Sequence, residues 1–183
     1  DKMIYVITGG PGFGKSTLIE LLSEKGFWVG KEAAREIIGQ QKLLGGDALP
    51  WKNIQRFEAI VAASRVDLFK NTPLDRVAFA DRGLHDQIAY SWYKGKNESA
   101  LLAELTTQYR YAPEVFVTAP WKEIYRQDPI RQESFEEACE IHRYILETYQ
   151  HFGYQIIELP FVNPEKRVEF IIQHIEKQNS IKR

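Results

Sequence analysis

The chain has 183 residues, 44% of them hydrophobic and 27% charged, with a net charge of −1. That length suits one domain with a full core, and the near-zero charge gives no electrostatic ground for a nucleic-acid partner or an anionic membrane surface. No apolar run reaches the roughly 18 residues of a membrane helix, and a single cysteine, Cys139, excludes an internal disulfide and suits a reducing, cytoplasmic setting.

In chain order, Met3-Ile4-Tyr5-Val6-Ile7 reads as a buried strand. It feeds directly into Gly9-Gly10-Pro11-Gly12-Phe13-Gly14-Lys15-Ser16-Thr17, so no signal peptide is expected. This stretch fits G-x-x-x-x-G-K-[ST], the phosphate-binding P-loop. Gly10, Gly12 and Gly14 carry no Cβ, which lets successive backbone N–H groups turn into one cavity. Lys15 is expected to reach the β- and γ-phosphates, and the Ser16 hydroxyl to join the Mg²⁺ shell. Thr17-Leu18-Ile19-Glu20-Leu21-Leu22 opens a helix whose positive end faces the same anion. Strand, glycine loop, lysine, serine and helix stand in register, so the reading is a nucleoside triphosphate site.

The helix stops near Lys25-Gly26. Phe27 to Gly30 forms a short second strand, which delivers Glu32-Ala33-Ala34-Arg35-Glu36 just past its end. Ile37 to Leu44 reads as helix and Gly45-Gly46-Asp47 breaks it, marking a candidate mobile segment. Pro50-Trp51 starts a long helix with Ile54, Phe57, Val61, Ser64 and Leu68 inward, which leaves Arg56 and Arg65 on a solvated face. Val77 to Asp81 is a third strand ending in a carboxylate, the Walker B pattern. Arg82 to Asp86 leads into a helix with Ile88, Ala89 and Trp92. Another helix carries Leu101, Leu102, Leu105 and Tyr109.

Val115 to Thr118 is the fourth strand, and one helical turn at Trp121 to Tyr125 precedes Arg126-Gln127-Asp128-Pro129-Ile130-Arg131. A helix from about Ser134 to Phe152 and a strand from Tyr154 to Leu159 follow. Asn163 then caps a last helix with Pro164 in its first position. The polar tail from about Lys177 to Arg183 is expected to fray. Strands alternating with helices argue a three-layer α/β fold with a parallel sheet.

In such a sheet, ligands sit beyond the carboxyl ends of the strands. The P-loop, Glu32 and Asp81 each follow one of those ends. In strand order 2-3-1-4-5, Asp81 lies about 5 Å from the P-loop strand and Glu32 about 10 Å. The nearer carboxylate is assigned to Mg²⁺ with Ser16, and the farther one is the candidate general base for an acceptor hydroxyl. A surface pair with Arg35 is the competing reading of Glu32. Arg126 and Arg131 make a candidate lid that stabilises the charge of the moving phosphoryl group, against the alternative of a solvated turn. Arg35 and Arg82 are candidate acceptor contacts. The histidines His142, His151 and His174 fit helical packing, and no set of residues has zinc-ligand spacing.

The segments Val6 to Ser16, Glu32 to Glu36, Asp81-Arg82-Gly83-Leu84 and Tyr125 to Arg131 resemble small bacterial proteins labelled AAA-family ATPases. They are also similar to P-loop kinases, notably the ribosylnicotinamide kinase domain of bifunctional NAD-metabolism regulators. The resemblance runs along nearly the whole chain. It implies a kinase-type P-loop NTPase fold with a five-stranded sheet in order 2-3-1-4-5, ATP with Mg²⁺, and an arginine-bearing lid. By analogy with nucleoside kinases, it implies the base role for Glu32 and the metal role for Asp81. The motor features, arginine finger and sensor helix of an AAA+ ring are not seen. The expected function is phosphoryl transfer to a small-molecule hydroxyl acceptor. The alternative is a nucleotide-gated ATPase module that signals to a protein partner through the segment 39–50 and Trp51, Trp92 and Trp121. An Asn-Lys-x-Asp guanine-reading motif is absent, which favours adenine.

Overall fold

The computed structural model describes residues 3–127 and 132–181. Asp128, Pro129, Ile130 and Arg131 of the expected lid lie outside the described residues. In chain order the elements are β1 (Met3–Thr8), α1 (Lys15–Glu24), β2 (Trp28–Gly30), α2 (Ala33–Leu44), α3 (Ile54–Asn71), β3 (Val77–Asp81) and α4 (Leu84–Tyr93). Then come α5 (Ala100–Gln108), β4 (Glu114–Val117), a 3₁₀ turn at Lys122–Ile124, α6 (Phe135–His151), β5 (Gln155–Glu158) and α7 (Pro164–Ile181). The strands are all parallel in the order β2-β3-β1-β4-β5. This is the topology the resemblance implied.

Both faces of the sheet are covered, which is why its strands read as continuous apolar runs. Ile4 and Val6 of β1 face a layer containing Ala62 and Val66 of α3, Leu84 and Ile88 of α4, Leu102 of α5 and Ile141 and Ile145 of α6. Tyr5 and Ile7 face the other way, onto Leu18 and Leu22 of α1 and Val168 and Ile171 of α7. Each such leucine or isoleucine stabilises the fold by about 1.5–3 kcal/mol on full burial. Among the described residues no helix is long and apolar enough to cross a membrane.

Two helix starts differ from the sequence reading. α2 begins at Ala33 rather than Ile37, because the Glu32 carboxylate caps it, Oε1 accepting the Ala34 N–H at 3.2 Å. α3 begins at Ile54 rather than Pro50, where Asn53 accepts the Arg56 N–H at 3.1 Å. Its buried face is Val61, Ala62, Arg65, Val66 and Phe69, rotated by about one residue from the expected stripe. Ile54 is exposed, and Arg65, expected in solvent, is buried. The rotation sets Arg65 opposite Glu32.

Register then brings the site together. Ile7 pairs with Asp81 and Gly30 with Ala80, so β1, β2 and β3 end level. The P-loop, Glu32 and Asp81 all emerge at that edge.

Candidate active site

Gly14 closes the loop in the left-handed region (φ 91°), which glycine enters without steric cost, and hands the chain to α1. Lys15 is buried, and its ammonium donates to the Gly10 carbonyl at 3.0 Å. Burial, and then the charge of Arg82, press its pKa down to about 7. The carboxylates of Asp81, Glu32 and Asp86 pull it back up only in part. Ser16 and Thr17 stand exposed in the first turn of α1. Gly12 is half-buried, and the Phe13 ring is fully buried among Tyr125, Phe135 and His142. The Phe13 side chain is therefore packed inside the fold. Gly10 lies against α6: its N–H donates to His142 Nδ1 at 3.0 Å, and a Cβ there would come within 2.5 Å of the Ala138 carbonyl oxygen.

The acidic side is built from side chains. Asp81 is buried, and its Oδ1 has no hydrogen-bond partner among the described residues. Burial and the neighbouring Glu32 raise its pKa to about 6, against the pull of Lys15 and Arg82. Arg82 follows with φ 68°, a non-glycine residue in the left-handed region, which costs about 1–3 kcal/mol. Its contacts hold it there. The backbone N–H donates to Ile7 O at 3.0 Å and Nη1 to Gly9 O at 2.8 Å. The same Nη1 reaches Asp86 Oδ1 at 3.2 Å, while Nε pairs with Glu32 Oε2 at 2.8 Å.

Glu32 Oε1 in turn accepts from Arg65 Nη2 at 3.2 Å. Asp86 also takes the Gly83 N–H at 2.8 Å and the hydroxyls of Thr8 and Tyr149. Burial alone would raise the Asp86 pKa, but Arg82, Arg65 and these hydroxyls hold it below the ordinary carboxylate range. The result is a buried row of alternating charge, Arg65–Glu32–Arg82–Asp86, drawn from four places in the chain.

The fold thus gathers Lys15, Asp81, Glu32 and Arg82 into one charged cluster, and pairs Glu32 with Arg65 of α3 and with Arg82 just past β3. Arg35 is half-buried in the first turn of α2. Arg126 is exposed, its Nη1 donating to the carbonyls of Tyr125 at 2.7 Å and Glu123 at 3.2 Å. Four residues that the sequence reading gave no part at the site stand against it: Arg65, Asp86, His142 and Arg167. The Arg167 Nε donates to Pro160 O at 2.8 Å and Nη1 to Phe13 O at 3.3 Å, with the guanidinium over the Trp121 ring. One usable signal existed: Arg167 lies on the inward stripe of α7 with Val168 and Ile171, where an arginine needs partners.

Among the described residues no group of three or more His, Cys, Asp or Glu side chains is placed to hold a metal. The donor set does fit Mg²⁺. That ion takes one or two carboxylates and completes its shell with water and substrate phosphates, and Asp81 offers a buried, unpartnered oxygen.

A family model described as "AAA domain" matches residues 4–167. No curated protein matches the chain. Among solved structures, the NadR protein in complex with NR is similar at 17% identity and a TM-score of 0.72, over 96% of this chain and 51% of that one. Thymidylate kinase from Ehrlichia chaffeensis is similar at 14% identity and a TM-score of 0.63, covering 95% of this chain and 98% of that one. Shikimate kinase from Aquifex aeolicus gives 16% identity and a TM-score of 0.60, with 97% and 98% covered. At these identities the likeness is one of fold.

Proposed function

The chain belongs to the AAA domain family, and from that premise we propose that it is an ATP- and Mg²⁺-dependent phosphotransferase acting on the hydroxyl of a small molecule. The supporting observation is the meeting of Lys15, Asp81 and Glu32 at one sheet edge, with Asp81 Oδ1 buried and unpartnered. In this reading the P-loop backbone and Lys15 hold the β- and γ-phosphates. Asp81 and the Ser16 hydroxyl would hold Mg²⁺, which when bound neutralises charge on the transferring group.

Glu32 receives the acceptor's proton. A carboxylate has about four acceptor positions, and the N–H of Ala34 and the guanidiniums of Arg65 and Arg82 take three. One is left for a hydroxyl, in a carboxylate that cannot swing away. Arg82 and Arg65 orient this base, and Arg35, in the first turn of α2, is the proposed contact for the acceptor. Arg126 and Arg131 are proposed to close over the phosphates from the lid.

The test is incubation with ATP, Mg²⁺ and a metabolite pool, followed by mass spectrometry. A phosphorylated small molecule formed with equal ADP supports the reading. ATP hydrolysis at a rate that no metabolite changes supports a second one, a nucleotide-gated module read by a protein partner. That reading has one observation in its favour: Leu43, Leu44 and Trp51, at the end of α2 and just beyond it, are exposed at 88, 80 and 60%.

A further inference from the structure

The loop opens on Gly9 and Gly10, side by side and both buried, with Gly9 at φ 132° and no Cβ on either to fix the backbone. The lysine depends on this point, since its ammonium rests on the Gly10 carbonyl at 3.0 Å. What restrains Gly10 comes from a helix 132 positions away in the chain. The His142 Nδ1 accepts the Gly10 N–H at 3.0 Å in a buried setting, and the Ala138 carbonyl and His142 Cβ close the space where a side chain would go.

The histidine is 7% exposed, and the Phe13 ring presses edge-on against its imidazole. Accepting at Nδ1 requires the neutral ring with its proton on Nε2. Burial, with Lys15 and Arg82 nearby, keeps His142 neutral by lowering its pKa to about 4.

We propose that His142 is a positioning residue for Lys15: it pins the Gly10 N–H from α6, and through the Gly10 carbonyl sets where the lysine ammonium meets a bound phosphate. It touches no reacting atom. The arrangement also ties the loop to the far end of α6, where Phe135 packs on both Phe13 and Tyr125, next to the expected lid. A shift of α6 therefore reaches Lys15 through two hydrogen bonds, one on each side of Gly10.

The inference rests on the reading that this loop binds ATP, and the experiment separates the two. ATP·Mg²⁺ binding is measured by calorimetry, with thermal melts, for the wild type, His142→Leu and His142→Asn. Asparagine sets an amide oxygen near the position of Nδ1 and keeps the acceptor, whereas leucine removes it. The expected result is about tenfold weaker binding in His142→Leu, the fold-change of losing one buried hydrogen bond, restored to within about twofold by His142→Asn. Equal binding in all three proteins would overturn the proposal, as would an asparagine variant no better than leucine. If His142→Leu does not fold, amide exchange in the wild type decides. A protected Gly10 N–H supports the assignment, and one that exchanges like a free amide refutes it. A wild type that binds no ATP would instead remove the nucleotide reading itself.

Discussion

Around the P-loop, position is set mainly by backbone: glycines turn the chain, α1 presents its N-terminus, and Lys15 rests on a carbonyl of its own loop. Across the crevice, position is set by side chains, with Arg65, Glu32, Arg82 and Asp86 holding one another from α3, the start of α2, the end of β3 and α4. The first half is written in one stretch of sequence, tied from outside by His142, Arg82 and Arg167 to its carbonyls and amides, and contains a lysine enclosed by burial. The second is assembled over long distances and nearly saturated internally. Binding and stability should therefore separate between the halves, with substitutions in the loop reaching chemistry, those at Arg65, Arg82 and Asp86 reaching the fold, and Glu32 serving both.

The largest effect is expected at Lys15. Lys15→Ala should cut phosphoryl transfer about 10³-fold while the melting temperature holds or rises, since a desolvated ammonium is removed. A collapse of the melting temperature would break the contrast. Arg82→Ala should do the reverse. It leaves buried Asp86 and half-buried Glu32 without their shared cation, costing about 3–5 kcal/mol, roughly 10 °C or more in a thermal melt. Arg82→Lys should recover little, because one ammonium cannot replace a guanidinium that serves Gly9, Glu32 and Asp86 at once.

The contrast continues at a finer scale inside α4. Asp86 has partners on every side, whereas the adjacent His85 is fully buried with neither ring nitrogen bonded among the described residues, enclosed by the rings of Tyr111, Tyr149, Phe152 and Tyr154. Burial lowers the His85 pKa to about 4. The unfolded chain, with an ordinary pKa near 6.5, takes up this proton first as the pH falls. Stability attached to neutral His85 is thus intact above about pH 6.5 and drains away toward pH 4. His85→Phe should raise stability at neutral pH by about 1 kcal/mol and flatten the acid limb of a melting-temperature profile over that window. An unchanged acid limb would place the acid sensitivity elsewhere.

The same division decides what could be read without coordinates. The P-loop, Asp81 and the parallel sheet were legible because each is written in neighbouring residues: a glycine spacing, a strand ending in a carboxylate, apolar runs between helical ones. Glu32 was placed by its position just after β2, and the sheet order set it beside Asp81. Its partners were not legible. On α3, Phe57, Val61 and Leu68 argued one face while Val61, Ala62, Val66 and Phe69 argued another about one residue round, and the choice between them buried or exposed Arg65. The partnership of Gly10 with His142 spans 132 positions, and helical packing alone accounted for that histidine. Capping by Glu32 was hidden as well, since glutamate is an uncommon N-cap and its carboxylate is shared with two arginines.

The central claim is that Glu32 is poised over a bound triphosphate to take a proton from an acceptor hydroxyl. Glu32→Gln tests it most directly, since the amide keeps the size and an acceptor oxygen but not the basicity. With γ-labelled ATP and a metabolite pool, the account predicts transfer of label to small molecules about 100-fold slower than wild type, with ATP affinity within about twofold. Transfer at the wild-type rate, or loss of ATP binding together with transfer, would contradict it.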